Sequence, residues 1–200
     1  MANNRVVLSP TDAELAGIAL TGKTPRLLLH CCCAPCASYV LEYLSPYFSI
    51  TILYFNPNIT SQEEYDKRGN EFYKLPIKQG YPNRVDLQIS KFDTTAFMSV
   101  AASLENEPEG GRRCLECFRL RLGGTVLSAK ENGYDYFCTT LSVSPFKNAA
   151  LLNEIGNSLA AEFRIKYLTS DFKKRDGYKR SVELSALYGL YRQTYCGCGM

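Results

Sequence analysis

The sequence predicts an α/β domain in which a parallel sheet is covered by helices on both faces, and three observations predict it. From Arg26 onward, short apolar runs (RLLLHCC, SITILYF, VDLQIS, YDYFCTTL and IKYLTS) alternate with helical patterns. The runs are apolar almost throughout rather than at every second residue, as strands buried on both faces are. The stretches between them are long enough for crossover helices, which parallel neighbours require.

The elements follow in order. Residues 1–25 carry one helix, with Ser9 as N-cap and Pro10 at the first helical position, and we read them as an N-terminal extension of a single catalytic domain spanning residues 26–200. After the strand RLLLHCC comes the helix ASYVLEYL and then the strand SITILYF. The helix SQEEYDKRGNEFYKL has Thr60 and Glu63 as a capping box. Beyond VDLQIS we expect a helix FMSVAASLE, a longer one from about Leu115 to Glu131, the strand YDYFCTTL, the helix NAALLNEIGNSLAAEF and the strand IKYLTS. A last helix from about Tyr178 to Tyr191 leads into a cysteine-bearing tail.

Two hundred residues with 46% hydrophobic content suit one domain with a substantial core. The N-terminus has no apolar stretch of signal-peptide quality, and about eighteen consecutive apolar residues occur nowhere, so we expect a soluble cytoplasmic protein without a membrane partner. Nine cysteines in a reducing compartment point to metal binding or redox chemistry rather than a disulfide framework. The net charge of +3 says little by itself about nucleic acid.

In an open parallel sheet, ligands sit beyond the carboxyl ends of the strands, and the loop after the first strand holds Cys31, Cys32, Cys33 and Cys36. Nucleotide-binding folds place glycines there to cradle phosphate; this loop has none and offers thiols instead, which suit a thiophilic metal. CLEC supplies Cys114 and Cys117, and CGCG supplies Cys196 and Cys198. A structural zinc site is the plainer reading of such pairs. The surplus of thiols over four coordinate positions favours an iron–sulfur cluster with a second metal site. Cys138, alone in a strand, and Cys31 read as core residues. His30, the only histidine, reads either as a hydrogen-bonded strand-end residue or as a group that tunes the metal.

HCCCAPC fits the pattern His-x-Cys-Cys-x-Pro-Cys, and together with YFNPNI, CLECFRLRL and DFKKRDGYKRSVELSALYGLYRQTYCGC it resembles the QueH family of epoxyqueuosine reductases, over roughly Arg26 to Cys198. The resemblance implies a fold similar to the adenine-nucleotide hydrolase-like (HUP, PP-loop) group, with cysteines replacing the nucleotide loop and a metal-binding cysteine tail. It also implies cobalamin-independent reduction of epoxyqueuosine to queuosine at the wobble position of a tRNA with a GUN anticodon, the last step of queuosine biosynthesis, using an electron donor that the sequence does not identify. The cofactors implied are a [4Fe–4S] cluster and an additional mononuclear iron. Cys32, Cys33, Cys36, Cys114, Cys117, Cys196 and Cys198 match the family's cysteines. We divide them as Cys33, Cys114, Cys117 and Cys196 on the cluster, and Cys32, Cys36 and Cys198 on the catalytic iron, since neighbours in sequence point in different directions. Cys36, near a helix N-terminus, is expected to have a lowered pKa.

Basic residues cluster in FKKRDGYKR: Lys173, Lys174, Arg175, Lys179 and Arg180, with Tyr178 among them as a ring on which a base could stack. We expect these, with Arg119, to bind the tRNA. Arg112, Arg113 and Arg121 also surround CLEC, although Arg119 and Arg121 read equally as an exposed helix face. Asn56 and Asn58 are expected at the same rim, and Tyr195 and Asp66 are candidate proton donors. Two other functions compete. A PP-loop-like tRNA sulfur-transfer enzyme would need the absent glycine-rich phosphate loop, and a zinc-dependent RNA-binding module would contain no iron.

Overall fold

The computed structural model describes residues 8–199. Strands β1 (Arg26–His30), β2 (Ser49–Tyr54), β3 (Val85–Ile89), β4 (Tyr136–Thr139) and β5 (Lys166–Tyr167) form one all-parallel sheet in the order β3-β2-β1-β4-β5. Around it lie α1 (Pro10–Thr21), α2 (Ala34–Leu44), α3 (Gln62–Asn70), α4 (Thr95–Ala101), α5 (Arg112–Glu131), α6 (Ala149–Phe163) and α7 (Gly177–Leu187). The expected α/β sheet with helices on both faces is therefore observed.

The central strand explains the layering. Leu27, Leu28 and Leu29 of β1 are all fully buried. Leu27 and Leu29 join the larger core with residues of α1, α2 and α7, while Leu28 turns to the other face with Phe137, under α5 and α6. Because β2 and β3 extend to one side of β1, and β4 and β5 to the other, the strand order reverses between β1 and β4. A crevice at such a reversal, beyond the carboxyl ends of the strands, is where open α/β sheets bind ligands.

Several boundaries differ from the sequence reading, each for a local reason. The capping residue of α3 is Ser61, whose hydroxyl accepts from the Glu64 N–H, one residue later than Thr60 and Glu63. Helix α5 begins at Arg112, so Cys114 and Cys117 lie within its first two turns. The fourth strand ends at Thr139 because the chain tightens into a 3₁₀ turn over Thr140–Val143. Helix α7 stops at Leu187, before Gly189 in the left-handed region at φ 59°. At its other end, a Cβ on Gly177 would collide with the Phe172 carbonyl and the Tyr39 ring, so glycine lets α7 sit close against α2.

The first seven residues of the N-terminal extension lie outside the described residues. The rest packs onto the domain: Leu15 and Ile18 of α1 enter the larger core, and the Thr11 hydroxyl donates to the Thr169 carbonyl. Among the described residues, no helix is long and apolar enough to cross a membrane.

Candidate metal centre

Beyond His30 the chain leaves β1, and the Cys31 N–H still donates to the Leu53 carbonyl at 2.9 Å. Cys33 then takes the extended N-cap position of α2, with Pro35 in the first turn. This turn brings the Sγ atoms of Cys32, Cys33 and Cys36 within 4.8 Å of one another. Three thiolates bound to one ion at about 2.3 Å would lie within about 4.6 Å of each other, so the triad is spaced for a single metal ion. Cys32 and Cys33 do not diverge as expected: their sulfurs are 3.7 Å apart, because strand alternation ended at His30.

The charge in the triad sits on Cys32. Hydrogen bonds from Cys33 and then Cys36 pull its pKa well below the thiol range, with help from the Arg121 guanidinium. The hydrogen bond to Cys32 pushes Cys33 up to about 12 and raises Cys36 as well. The lowered pKa expected for Cys36 is thus found on Cys32. Cys36 is near a helix N-terminus, but its sulfur donates to a closer negative centre.

A second group of thiols lies alongside. Cys117 and Cys198 share a small apolar cluster with Phe97 and Ala101, and Cys196 packs against it. The Gly110 N–H donates to Cys114 Sγ at 3.2 Å. Cys196 is pulled down to about 5, chiefly by a hydrogen bond from Cys198 and also by Lys147 and Arg121. The tail is held by the Thr60 N–H donating to the Gly197 carbonyl at 3.1 Å.

Between the two groups lies Arg121, 4% exposed. Its Nη2 donates to Asn56 Oδ1 at 2.5 Å and its Nε to His30 Nε2 at 3.3 Å. Asn56 Nδ2 donates in turn to the Cys31 carbonyl, and His30 Nδ1 pairs with the Thr139 hydroxyl at 2.8 Å. Burial takes the His30 pKa down to about 3, so the imidazole is neutral. Among the described residues no carboxylate pairs with Arg121; the negative groups it favours are the thiolates of Cys32 and Cys196, while burial keeps the nearby Cys117 thiol above its ordinary pKa. Isolated buried charge is costly, so the thiolates and the guanidinium belong to one electrostatic unit. The exposed-face reading of Arg121 is corrected here. The signal was available, because Arg121 follows Cys117 by four positions and Cys114 by seven, on one helix face.

Cys32, Cys33, Cys36 and Cys196 all border one cavity of about 530 Å³ at the β1/β4 crevice. The family profile described as "Epoxyqueuosine reductase QueH" matches residues 27–200, a span that takes in all of the sheet but Arg26, both thiol groups and this cavity. The chain belongs to the QueH family. It is 42% identical over 183 residues to the epoxyqueuosine reductase QueH of Staphylococcus epidermidis, covering 88% of this chain and 76% of that protein. With the Streptococcus pyogenes protein of the same name it is 41% identical, covering 87% and 69%. The Thermotoga maritima protein of that name is more distant, 29% identical over 86% and 88%. QueH proteins are named as reductases, so this is a family of oxidoreductases.

In this QueH chain the remaining sequence candidates divide sharply. Cys31 and Cys138 are fully buried in the larger core, where burial raises both thiol pKa values, that of Cys138 to about 12. Asn58 and Tyr195 border the cavity, whereas Asp66 is exposed and accepts from Gln62. Of the basic run, Tyr178 borders the cavity. Lys173 donates to the Ser142 and Lys147 carbonyls, Arg175 pairs with Asp12 at 2.8 Å, and Arg180 bridges Glu42 and Glu183. Lys174 and Lys179 are exposed. Arg119 is exposed and paired with Glu116, while Arg113 is buried against the Leu104 and Glu105 carbonyls.

Proposed function

We propose that this chain reduces the epoxide of epoxyqueuosine to the alkene of queuosine at the wobble position of a GUN-anticodon tRNA, as the last step of queuosine biosynthesis, in the cytoplasm and without cobalamin. The observation that carries this reading is a thiol triad spaced for one ion, opening with Cys196 of a second thiol group onto one cavity, in a chain of a reductase family. Cys32, Cys33 and Cys36 hold a single iron; Cys114, Cys117, Cys196 and Cys198 hold a [4Fe–4S] cluster. This division replaces the one drawn from sequence, since the sulfur of Cys33 lies with Cys32 and Cys36, and Cys198 lies with Cys117.

Removal of the epoxide oxygen breaks two C–O bonds, forms a C=C bond and releases water, at the expense of two electrons and two protons. The bound iron centres supply the electron path and a Lewis acid for the departing oxygen. The chain's own residues set up that chemistry. Arg121 supplies counter-charge to the thiolates, Asn56 and neutral His30 hold Arg121 in place, and the exposed Lys174, Lys179 and Tyr178 of the basic run contact the RNA.

The test is anaerobic purification with iron and zinc counts and an optical spectrum, followed by turnover of epoxyqueuosine-containing tRNA with a chemical reductant and nucleoside mass analysis. We expect iron in both sites and loss of the mass of an oxygen atom. Unchanged tRNA with the cluster intact would overturn the reading, and zinc alone would favour an RNA-binding module.

A further inference from the structure

In the run Lys173–Arg180 most cations are used by the chain itself: Lys173, Arg175 and Arg180 have internal partners. A different surface lies directly around the cavity. Phe146 is 78% exposed, Tyr195 55% and Tyr178 42%, and all three border the cavity. They come from three separate places: the loop between β4 and α6, the first turn of α7 and the C-terminal tail. Exposed apolar side chains occur singly elsewhere, as at Leu20 and Leu187, and single ones need no explanation. Three rings around one opening do.

Their neighbours identify the partner. The Arg192 guanidinium lies over the Tyr178 ring at 5.6 Å and that of Arg68 over the Tyr195 ring at 5.4 Å, so both rings are backed by cations and held in place. Arg68, Arg121, Lys147 and Arg192 border the cavity; Lys147 is paired with Glu109 and Arg68 with Glu64, while Arg192 donates to the Ser181 carbonyl and Ser185 hydroxyl and Arg121 has no carboxylate partner among the described residues. Aromatic rings interleaved with excess positive charge suit a single-stranded nucleic acid, whose bases stack while cations meet its phosphates. An apolar protein surface would gain nothing from the four cations. The cavity is of a size for one small-molecule-sized group, hence for one nucleoside and not for its neighbours.

We propose that Phe146, Tyr178 and Tyr195 form a stacking collar that binds the bases next to the modified nucleotide of an RNA loop, so that this single nucleotide is turned out of the loop and into the thiol-lined cavity. The proposal rests on the function proposed above, and it adds that the substrate is recognised as an unstacked loop rather than as a nucleoside alone.

The test uses the iron-loaded protein and an anticodon stem-loop RNA with 2-aminopurine beside the wobble position, whose fluorescence reports stacking; the chain has no tryptophan to interfere. Binding should change the probe signal. Phe146→Leu and Tyr178→Leu should each weaken binding roughly tenfold, as loss of one stacking ring does, and should abolish or diminish that change. Phe146→Tyr and Tyr178→Phe should restore both. Iron content and melting temperature report whether each variant is folded; should a leucine variant lose iron, the same comparison is read on the aromatic swap and on Phe146→Ser. Variants that bind the stem-loop and shift the probe as the wild type does would overturn the collar. Wild-type protein that binds the RNA through these rings but never deoxygenates it would leave the collar standing and overturn the proposed function instead.

Discussion

Arg180 and Arg121 show how differently the chain treats a guanidinium. Arg180 lies at the surface and bridges two carboxylates, Glu42 at 2.8 Å and Glu183 at 3.1 Å, tying α7 to α2. Arg121 is buried, with an amide and a neutral imidazole as its nearest partners and thiols beyond them. The surface run balances its own charge and serves as scaffold. The thiol end leaves a buried cation whose only available counter-charge among the described residues is sulfur, and such imbalance marks a site that is completed by something else.

The sharpest way to break this contrast is to remove a triad sulfur. Cys36→Ala should keep the cluster spectrum, lose about one iron and abolish turnover, whereas Cys36→Asp should keep some activity because a carboxylate also binds iron. Cys114→Ala and Cys117→Ala should instead lose cluster iron and lower the melting temperature, since metal-binding energy is folding energy. Iron retained in full by all three alanine variants would show that the two groups are misassigned.

Next in size is the cation. Removing a group that supports metal ligands typically costs 10–100-fold in metal affinity, and Arg121→Met should fall within that range in a chelator competition, with Arg121→Lys recovering part of it. The corresponding change at the surface, Arg180→Met, should leave iron affinity unchanged. Equal effects at the two positions would erase the distinction drawn between them.

Much of this was legible in the sequence, and the limits are physical. The apolar strands and the thiol spacing in HCCCAPC and CLEC carry local information, so the sheet and the cysteine sites could be read directly. The grouping of sulfurs could not, because it depends on the turn at Cys33 and on the path that brings Gly197 beside Thr60. The basic run misleads for a similar reason. Arg175 finds Asp12 and Arg180 finds Glu42 across well over a hundred residues, and no local pattern announces such pairs. Arg121 was readable from helix phase alone, since its distance from the two α5 cysteines fixes its face.

A smaller effect separates the members of the run themselves. Lys174 and Lys179 are exposed, so replacing either by Ala should reduce the slope of log affinity for tRNA against log salt by roughly 0.7–0.9 if it meets a phosphate. Lys173→Ala removes bonds to the Ser142 and Lys147 carbonyls and should act first on melting temperature. A full slope change at Lys173 with none at Lys174 and Lys179 would reverse these roles.

The smallest effect concerns the scaffold end alone. Hydrogen bonds from Ser9 and Tyr43, aided by Arg175, hold the Asp12 pKa below its ordinary value of 3.8. A carboxyl whose pKa is lower in the folded chain binds its proton more readily when unfolded, so its contribution is present above about pH 4 and is lost as the pH falls through the folded value. Asp12→Asn should therefore destabilise the protein at pH 7 by about 0.5–1 kcal/mol, the range of a modest surface ion pair with hydrogen bonds, and the difference from wild type should vanish in acid. Urea unfolding at pH 7 and near pH 3 measures both. Because Asp12 holds Arg175 outside the lining of the thiol cavity, turnover per bound iron should not change. A loss of turnover matched to the loss of stability would mean that the paired cations reach the active end after all, and that the division between scaffold and site is not as clean as the charges imply.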